Sequence, residues 1–184
     1  MKKIVWLLII IIGFSACNTS EKQAKLEKIA ELERSIDSIQ TVLNKNIIDS
    51  IAGLKNATNQ VEIRIKQHLK ISKVDRVLDQ KMNRFKLMRK SLNPLGRNFN
   101  KIRQGILEEK TALSALKNDI ENGSASAEKQ EDFIAFEKNK VEQISVLLTD
   151  YMASKEKFFL DYNELYPELL AFSLELQAKD KPSK

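Results

Sequence analysis

The sequence predicts an all-α protein, an elongated up-and-down bundle of three or four long helices with coiled-coil-like packing. Five Gly and three Pro in 184 residues are too few for a turn-rich sandwich or barrel. Apolar residues make up 42% of the chain and charged residues 30%, which is too apolar for a disordered chain. Apolar side chains recur in steps of three and four residues, the repeat of a helical seam. The alternative prediction is a long two-helix hairpin.

The first 16 residues have the layout of a secretory signal. Lys2 and Lys3 precede an unbroken apolar run from Ile4 to Ile12, and small residues follow at Ser15 and Ala16. Counted to Ala16, the apolar segment covers about 20 Å as a helix, whereas the hydrocarbon core of a bilayer is about 30 Å thick. Because it is too short for a permanent span, the sequence predicts a cleaved signal peptide over residues 1–16.

The end of this segment, Phe14-Ser15-Ala16-Cys17, resembles the lipobox of bacterial lipoproteins, with Phe14 where that motif usually has Leu. The resemblance implies that Cys17 is lipidated and that residues 17–20 form a lipid anchor and short tether. Several acyl chains hold a protein stably at a membrane, whereas one chain gives only marginal binding. The expected location is the cell membrane or outer membrane, facing the periplasm or exterior, which excludes nucleic acid as a partner.

The helical bundle domain is predicted over residues 21–178, and its first helix begins at Ser20, the N-cap of a capping box. Apolar residues from Ile29 to Leu92 continue the seam, so this helix is expected to reach residue 92. Three residues that weaken a helix predict a joint within it, namely Asn44, Asn46 and Gly53.

The second helix is predicted to begin at Asn93 and Pro94. Asn as N-cap and Pro at the first helical position are typical of a helix start, so the chain is expected to reverse here. The seam then continues to Ile120, and Gly123 predicts a stop before a third helix.

The third helix contains most of the aromatic residues. Pro167 predicts a kink in it or a short separate final helix ending near Ala178. Residues 179–184 are predicted to form a disordered tail. The predicted core stripe of this helix is Phe133, Phe136, Val141, Ile144, Leu148, Tyr151, Phe158, Tyr162 and Leu165.

The distribution of charge favours the bundle over the hairpin. Residues 55–103 carry 14 basic and three acidic side chains, a net charge of +11, whereas residues 123–184 have a net charge of −4. In a bundle the acidic third helix runs back beside the basic stretch, but in a hairpin it lies along a near-neutral segment. We therefore expect a true chain reversal at Gly123.

The composition argues against an enzyme. One Cys and one His, Cys17 and His68, cannot supply a Cys-rich zinc site or a set of His ligands. The five glycines stand apart, so the chain has neither a phosphate-binding loop nor a Gly-x-Ser-x-Gly turn. The sequence thus predicts no catalytic residue, no metal ligand and no cofactor.

The strongest polar feature is a stretch of basic residues in the middle of the chain. It predicts an anionic partner outside the cytoplasm, either an envelope polymer or a protein. The other interpretation is that these cations pair with the acidic third helix and keep the chain soluble. The candidate residues are Arg64, Lys66, Lys73, Arg76, Lys81, Arg84, Arg89, Lys90, Arg97, Lys101 and Arg103.

Two segments, Glu31 to Ile36 and Lys157 to Tyr166, together with Cys17 and the basic stretch, resemble the spectrin-like helical lipoproteins described as cell-wall-binding. The resemblance implies a non-catalytic, lipid-anchored module that has a structural or binding role at the cell envelope. The alternatives are a periplasmic chaperone or assembly factor and a self-associating coiled-coil scaffold. The sequence leaves the oligomeric state open.

Overall fold

The computed structural model describes residues 2–70, 75–124 and 126–180, with side chains from residue 20 onward. This part of the chain forms four helices and no strand, which confirms the predicted all-α bundle. The helices are α1 (Lys2–Lys45), α2 (Ile51–His68), α3 (Arg76–Asn122) and α4 (Ala127–Lys179).

The chain divides into two compact units, each built from three helical segments. Unit 1 comprises Met1–Lys45 and Ile102–Leu147, and unit 2 comprises Asn46–Lys101 and Leu148–Lys184. The long helices α3 and α4 contribute to both units.

Unit 1 packs α1 against the second half of α3 and the first half of α4. Lys110 of α3 pairs with Asp37 of α1 at 2.6 Å, and Lys28 of α1 pairs with Glu131 of α4 at 2.9 Å. These contacts lie around an apolar core whose burial drives the packing. The core is Ile29, Ile36, Ile39, Leu43, Ile102, Ile106, Leu113, Leu116, Ile120, Ile134, Val141 and Ile144.

Unit 2 packs α2 against the first half of α3 and the second half of α4. Tyr151 is buried and donates its hydroxyl hydrogen to the Asn46 carbonyl at 2.8 Å, which satisfies the polar end of a large aromatic side chain. The remaining core is Val61, Ile65, Phe85, Met88, Leu92, Leu95, Leu148, Phe158, Leu165 and Leu169.

The predicted reversal at Gly123 is confirmed, and the hairpin alternative is wrong. Gly123 has φ +67°, which side chains other than glycine rarely tolerate. Its N–H donates to the Ile120 carbonyl at 3.3 Å, and the Ser124 N–H donates to the Asp119 carbonyl at 2.9 Å. This pair of bonds is the Schellman motif, which ends α3 and directs the chain into α4.

The predicted reversal at Asn93 and Pro94 is wrong, because α3 runs through both residues. Leu92 and Leu95 are fully buried on either side of the exposed proline, and their packing offsets its cost to the helix. The first helix therefore does not reach residue 92. It is followed by α2, which ends at His68, and the Asp75 side chain caps α3 by accepting from Val77 and Leu78 N–H groups at 2.9 and 3.1 Å.

The predicted joint near residues 44–53 is confirmed, because α1 ends at Lys45 and α2 begins at Ile51. Ser50 is the N-cap of α2, and its hydroxyl accepts from the Gly53 N–H at 2.9 Å. A Cβ at Gly53 would lie 2.6 Å from the Ser50 hydroxyl oxygen, so a larger residue there would disturb the cap.

Three predictions at the chain ends and on α4 need correction. Ser20 is not an N-cap, because α1 begins at Lys2 and runs through Ser20 to Lys45. No separate final helix follows Pro167, since α4 continues to Lys179. Phe133 and Phe136 are 49% and 58% exposed, because the buried stripe lies one position away, at residues such as Ile134.

The chain stays packed past residue 178, the predicted end of the bundle, because Asp180 contacts Lys70 and His68. Asp180 accepts from Lys70 at 2.6 Å, and its other carboxylate oxygen lies 3.0 Å from the His68 ring. Residues 181–184 of the predicted tail lie outside the described residues. Within the described ranges, no helix has an apolar stretch long enough to cross a membrane.

Candidate functional site

Two of the predicted site residues, Cys17 and Lys73, have side chains outside the described part of the structure. Cys17 lies on α1 ahead of the first described side chain, and Lys73 lies in the segment 71–74, outside the described residues. Lipidation of Cys17 therefore stays a prediction.

Five of the other predicted basic residues form polar contacts inside unit 2. Arg84 binds Glu164 through two bonds of 2.7 and 2.8 Å and Asp161 through a third of 2.7 Å. Lys81 pairs with Glu168, also on α4. The hydrogen bond from Arg84 lowers the pKa of Glu164, so the carboxylate form is favoured. These contacts join α3 to α4 and confirm internal pairing for this part of the basic stretch.

Two more of the predicted basic residues pair with Glu62 of α2, and a third binds a serine of α4. Glu62 pairs with Arg89 of α3 and, at 2.6 Å, with Lys66 on its own helix. Burial raises the pKa of Glu62, but the Lys66 hydrogen bond and the charge of Arg89 outweigh burial and hold it below its usual value. Arg64 donates instead to the buried Ser173 hydroxyl at 3.1 Å. These side chains therefore hold α2 in place.

A second set of cations forms no ion pair or side-chain hydrogen bond with a described residue, although the charge of one of them, Lys86, acts on Glu62. Lys86, Lys90, Arg97 and Lys101 are exposed and follow one another on α3 at steps of four, seven and four residues, which places them on one helix face. We call these four residues the α3 cationic face. Among the other predicted residues, Arg76 at the start of α3 and Arg103 in unit 1 also form no ion pair with a described side chain.

A cleft of about 380 Å³ lies between α2 and α3, beside this face. It is lined entirely by cations and carboxamides, and no acidic side chain contributes to its lining. Its residues are Lys55, Asn56, Asn59, Arg89, Lys90 and Asn93.

Most of the cleft residues were not predicted as site residues. The seam pattern predicts one helix over residues 21–92, so residues 55–59 and 89–93 were expected on the same helix about 50 Å apart. The reversal between His68 and Arg76 instead brings them face to face. A step of five residues from Leu69 to Val74, in a pattern of threes and fours, is the sequence signal that marks this reversal.

Unit 1 contains a different polar cluster, buried between α3 and α4. Glu109 is 1% exposed, and the Lys140 ammonium lies 3.8 Å from its carboxylate and 3.3 Å from that of Glu137. Burial, followed by the charge of Glu137, raises the pKa of Glu109 to about 7, although Lys140 opposes the shift. Within the described side chains, no three His, Cys, Asp or Glu residues form a group suited to a metal ion.

No family model matches the chain, and neither the curated proteins nor the solved structures contain a match to it. The fold and the site describe the protein as a helical bundle with an unpaired cationic helix face and an adjoining polar cleft.

Proposed function

We propose that the chain is a non-catalytic, lipid-anchored protein of the cell envelope, whose bundle is a structural and binding module for an anionic envelope component. The membrane contact is the lipid on Cys17, as the likeness of Phe14-Ser15-Ala16-Cys17 to a lipobox implies. The binding surface is the α3 cationic face.

One observation supports this surface above all: the basic stretch divides into paired and unpaired cations. Arg84 already meets two carboxylates inside unit 2, so it contributes little to attraction of an outside anion. The charges of the α3 cationic face are available to a partner, because its members are exposed and none of them is within ion-pair distance of a described acidic side chain, although the charge of Lys86 also acts on Glu62.

The spacing of the face suits a polymer. Lys86 and Lys101 are 15 residues apart, which corresponds to about 22 Å along a helix. A chain of repeated negative charges can contact several of these cations at once, and each added contact raises the effective concentration for the next one. A small ion can contact only one or two.

Neutralising the face should weaken binding to polyanions. In the triple variant Lys90→Gln, Arg97→Gln, Lys101→Gln, we expect about tenfold weaker binding of immobilised polyphosphate and of isolated wall polymer, since each exposed charge contributes about 0.5 kcal/mol. The measurement is a surface binding assay at low salt. Binding by the unaltered protein should fall strongly at about 0.5 M salt, where screening is short-ranged.

The matched control removes three equally exposed cations elsewhere, in the variant Lys45→Gln, Lys129→Gln, Lys157→Gln. It has the same net charge as the test variant. Equal weakening by both variants would mean that only net charge matters, and unchanged binding by the first would reject the α3 cationic face as a binding surface.

The alternative of a client-holding chaperone has one observation in its favour. Phe133 and Phe136 expose apolar rings on α4, where a client could bind. Unit 1 also has a groove of about 490 Å³ between α1 and α4, but six of its ten lining residues are charged or polar, so it is not the continuous apolar surface that a client-holding site needs. The binding module is therefore the preferred function.

A further inference from the structure

The cleft between α2 and α3 has an excess of unused positive charge. Lys55 and Lys90 line it, and neither ammonium group forms an ion pair or hydrogen bond with a described residue. The nearest buried carboxylate, Glu62, is already held by Arg89 and Lys66. An anion entering the cleft thus meets two ammonium groups and no opposing carboxylate in the lining.

The third cation, Arg89, is already engaged. One of its terminal nitrogens donates to the Asn59 carboxamide oxygen at 2.9 Å, and the other pairs with Glu62. The guanidinium fork, which can bind a carboxylate or a phosphate through two hydrogen bonds, is therefore not offered to a ligand. The charges that remain are the two lysine ammonium groups, point charges of the kind that bind phosphate.

The carboxamides supply groups that match hydroxyls. Because the Asn59 oxygen accepts from Arg89, its amide nitrogen keeps two N–H donors for other partners. Asn56 and Asn93 have no partner among the described residues, so each offers a donor and an acceptor. In addition, Pro94 has no N–H to give to the carbonyl of Lys90, which leaves that acceptor without its usual helical donor.

The size of the cleft suits one ring or a short polyol. Its volume of about 380 Å³ lies at the lower end of the range typical of small-molecule sites. We infer that the cleft binds a phosphorylated polyol, a phosphate group with neighbouring hydroxyls, as in a sugar phosphate or an inositol phosphate headgroup. This inference rests on the proposed function, since it names the chemical group that is recognised beside the α3 cationic face.

The experiment uses the full chain, solubilised in a neutral detergent, and follows its asparagine side-chain amide signals by NMR. The probes are inositol 1-phosphate, inorganic phosphate and inositol. We expect inositol 1-phosphate to shift the signals of Asn56, Asn59 and Asn93 and to bind at least about fivefold more tightly than inorganic phosphate, because only the former uses the carboxamides. Equal binding of the two phosphates, or no shift at these signals, would overturn the inference.

A variant that leaves net charge unchanged separates this inference from the proposed function. In Asn56→Ala, Asn93→Ala, binding of inositol 1-phosphate should weaken about fivefold or more, whereas polyphosphate binding should stay the same. Undiminished inositol 1-phosphate binding by this variant would overturn the role of the cleft alone. If the unaltered protein does not bind polyphosphate at all, the proposed function is rejected instead.

A final arm identifies the source of the ligand. Vesicles of phosphatidylcholine with and without phosphatidylinositol present the same inositol phosphate as a lipid headgroup. Binding of the headgroup as well as the free compound supports a lipid source, and binding of the free compound alone supports a soluble or polymeric source; both results support the cleft as the site.

Discussion

At the scale of single residues, the most unusual position is Glu109, an acidic side chain in a helical seam. It lies three residues after Ile106 and four before Leu113, both buried, so the repeat itself directs it into the core. Glu137 of α4 is close enough to raise its pKa, and the charge of Lys140 lowers it. Lys110, the next residue, is engaged by Asp37 of α1.

Glu109 should make stability depend on pH. Its folded pKa of about 7 exceeds the usual 4.5, so between these values the folded protein holds a proton that the unfolded chain has released. The contribution of Glu109 to stability should therefore be largest below about pH 4.5 and fall as the pH rises to about 7. In Glu109→Gln this fall should disappear, and the free energy of unfolding at about pH 8 should rise by about 1–3 kcal/mol.

Urea unfolding at about pH 5 and pH 8 measures this difference. Glu108→Gln is the matched control, because Glu108 is exposed and its carboxylate accepts only from Gln104 on the same helix. If the free energy of unfolding of Glu109→Gln depends on pH as it does in the unaltered protein, Glu109 is not the source of the pH dependence.

At the scale of helices, α3 is continuous because its core is continuous. Its buried residues Phe85, Met88, Leu92 and Leu95 follow one another at steps of three and four, without interruption at Pro94. The proline has no N–H for the carbonyl of Lys90 and its ring crowds that carbonyl, which costs a helix about 3 kcal/mol. Burial of the large side chains on both sides outweighs this cost.

Replacing the proline should stabilise the protein. In Pro94→Ala the missing N–H is restored and the crowding is removed, so we expect the free energy of unfolding to rise by about 1–3 kcal/mol. Urea unfolding is the measurement, and Ser114→Ala, at another exposed position of α3, should change it by less than about 0.5 kcal/mol. A loss of stability in Pro94→Ala would show that the surrounding packing requires the proline.

The sequence predicts a helix end correctly where local contacts determine it, and incorrectly where distant contacts do. The joint before Ile51 and the stop at Gly123 are predicted correctly, because a cap and a left-handed glycine act through their own neighbours. Asn93 and Pro94 mislead, because their local preference for a helix start yields to the packing of Leu92 and Leu95. The cleft could not be predicted, because it needs the true position of the reversal.

At the scale of the whole molecule, the net charge of +6 hides an uneven distribution of paired and unpaired cations. In unit 2, Arg84, Lys81 and Lys70 meet carboxylates of α4 or its end, so part of the basic stretch is neutralised internally. The unneutralised part lies on the α3 cationic face and at the cleft. The sequence predicts the excess of charge, but only the packing of the helices decides which cations stay unpaired.

The lipid anchor and the binding surface should be separable properties, because Cys17 lies on α1 and the α3 cationic face lies in unit 2. Cys17→Ala removes the thiol that we propose carries the diacylglyceryl group, so labelling with an alkyne fatty acid should be lost, and mass spectrometry should find residues 1–16 still attached. Ser20→Ala, three residues away, should be labelled like the unaltered protein.

The triple variant of the α3 cationic face should likewise keep its label and its membrane association, because stable anchoring requires only the acyl chains. Persistent labelling of Cys17→Ala would end the lipoprotein proposal. It would leave the polyanion binding of the face untouched, since that binding depends on unpaired cations and not on the anchor.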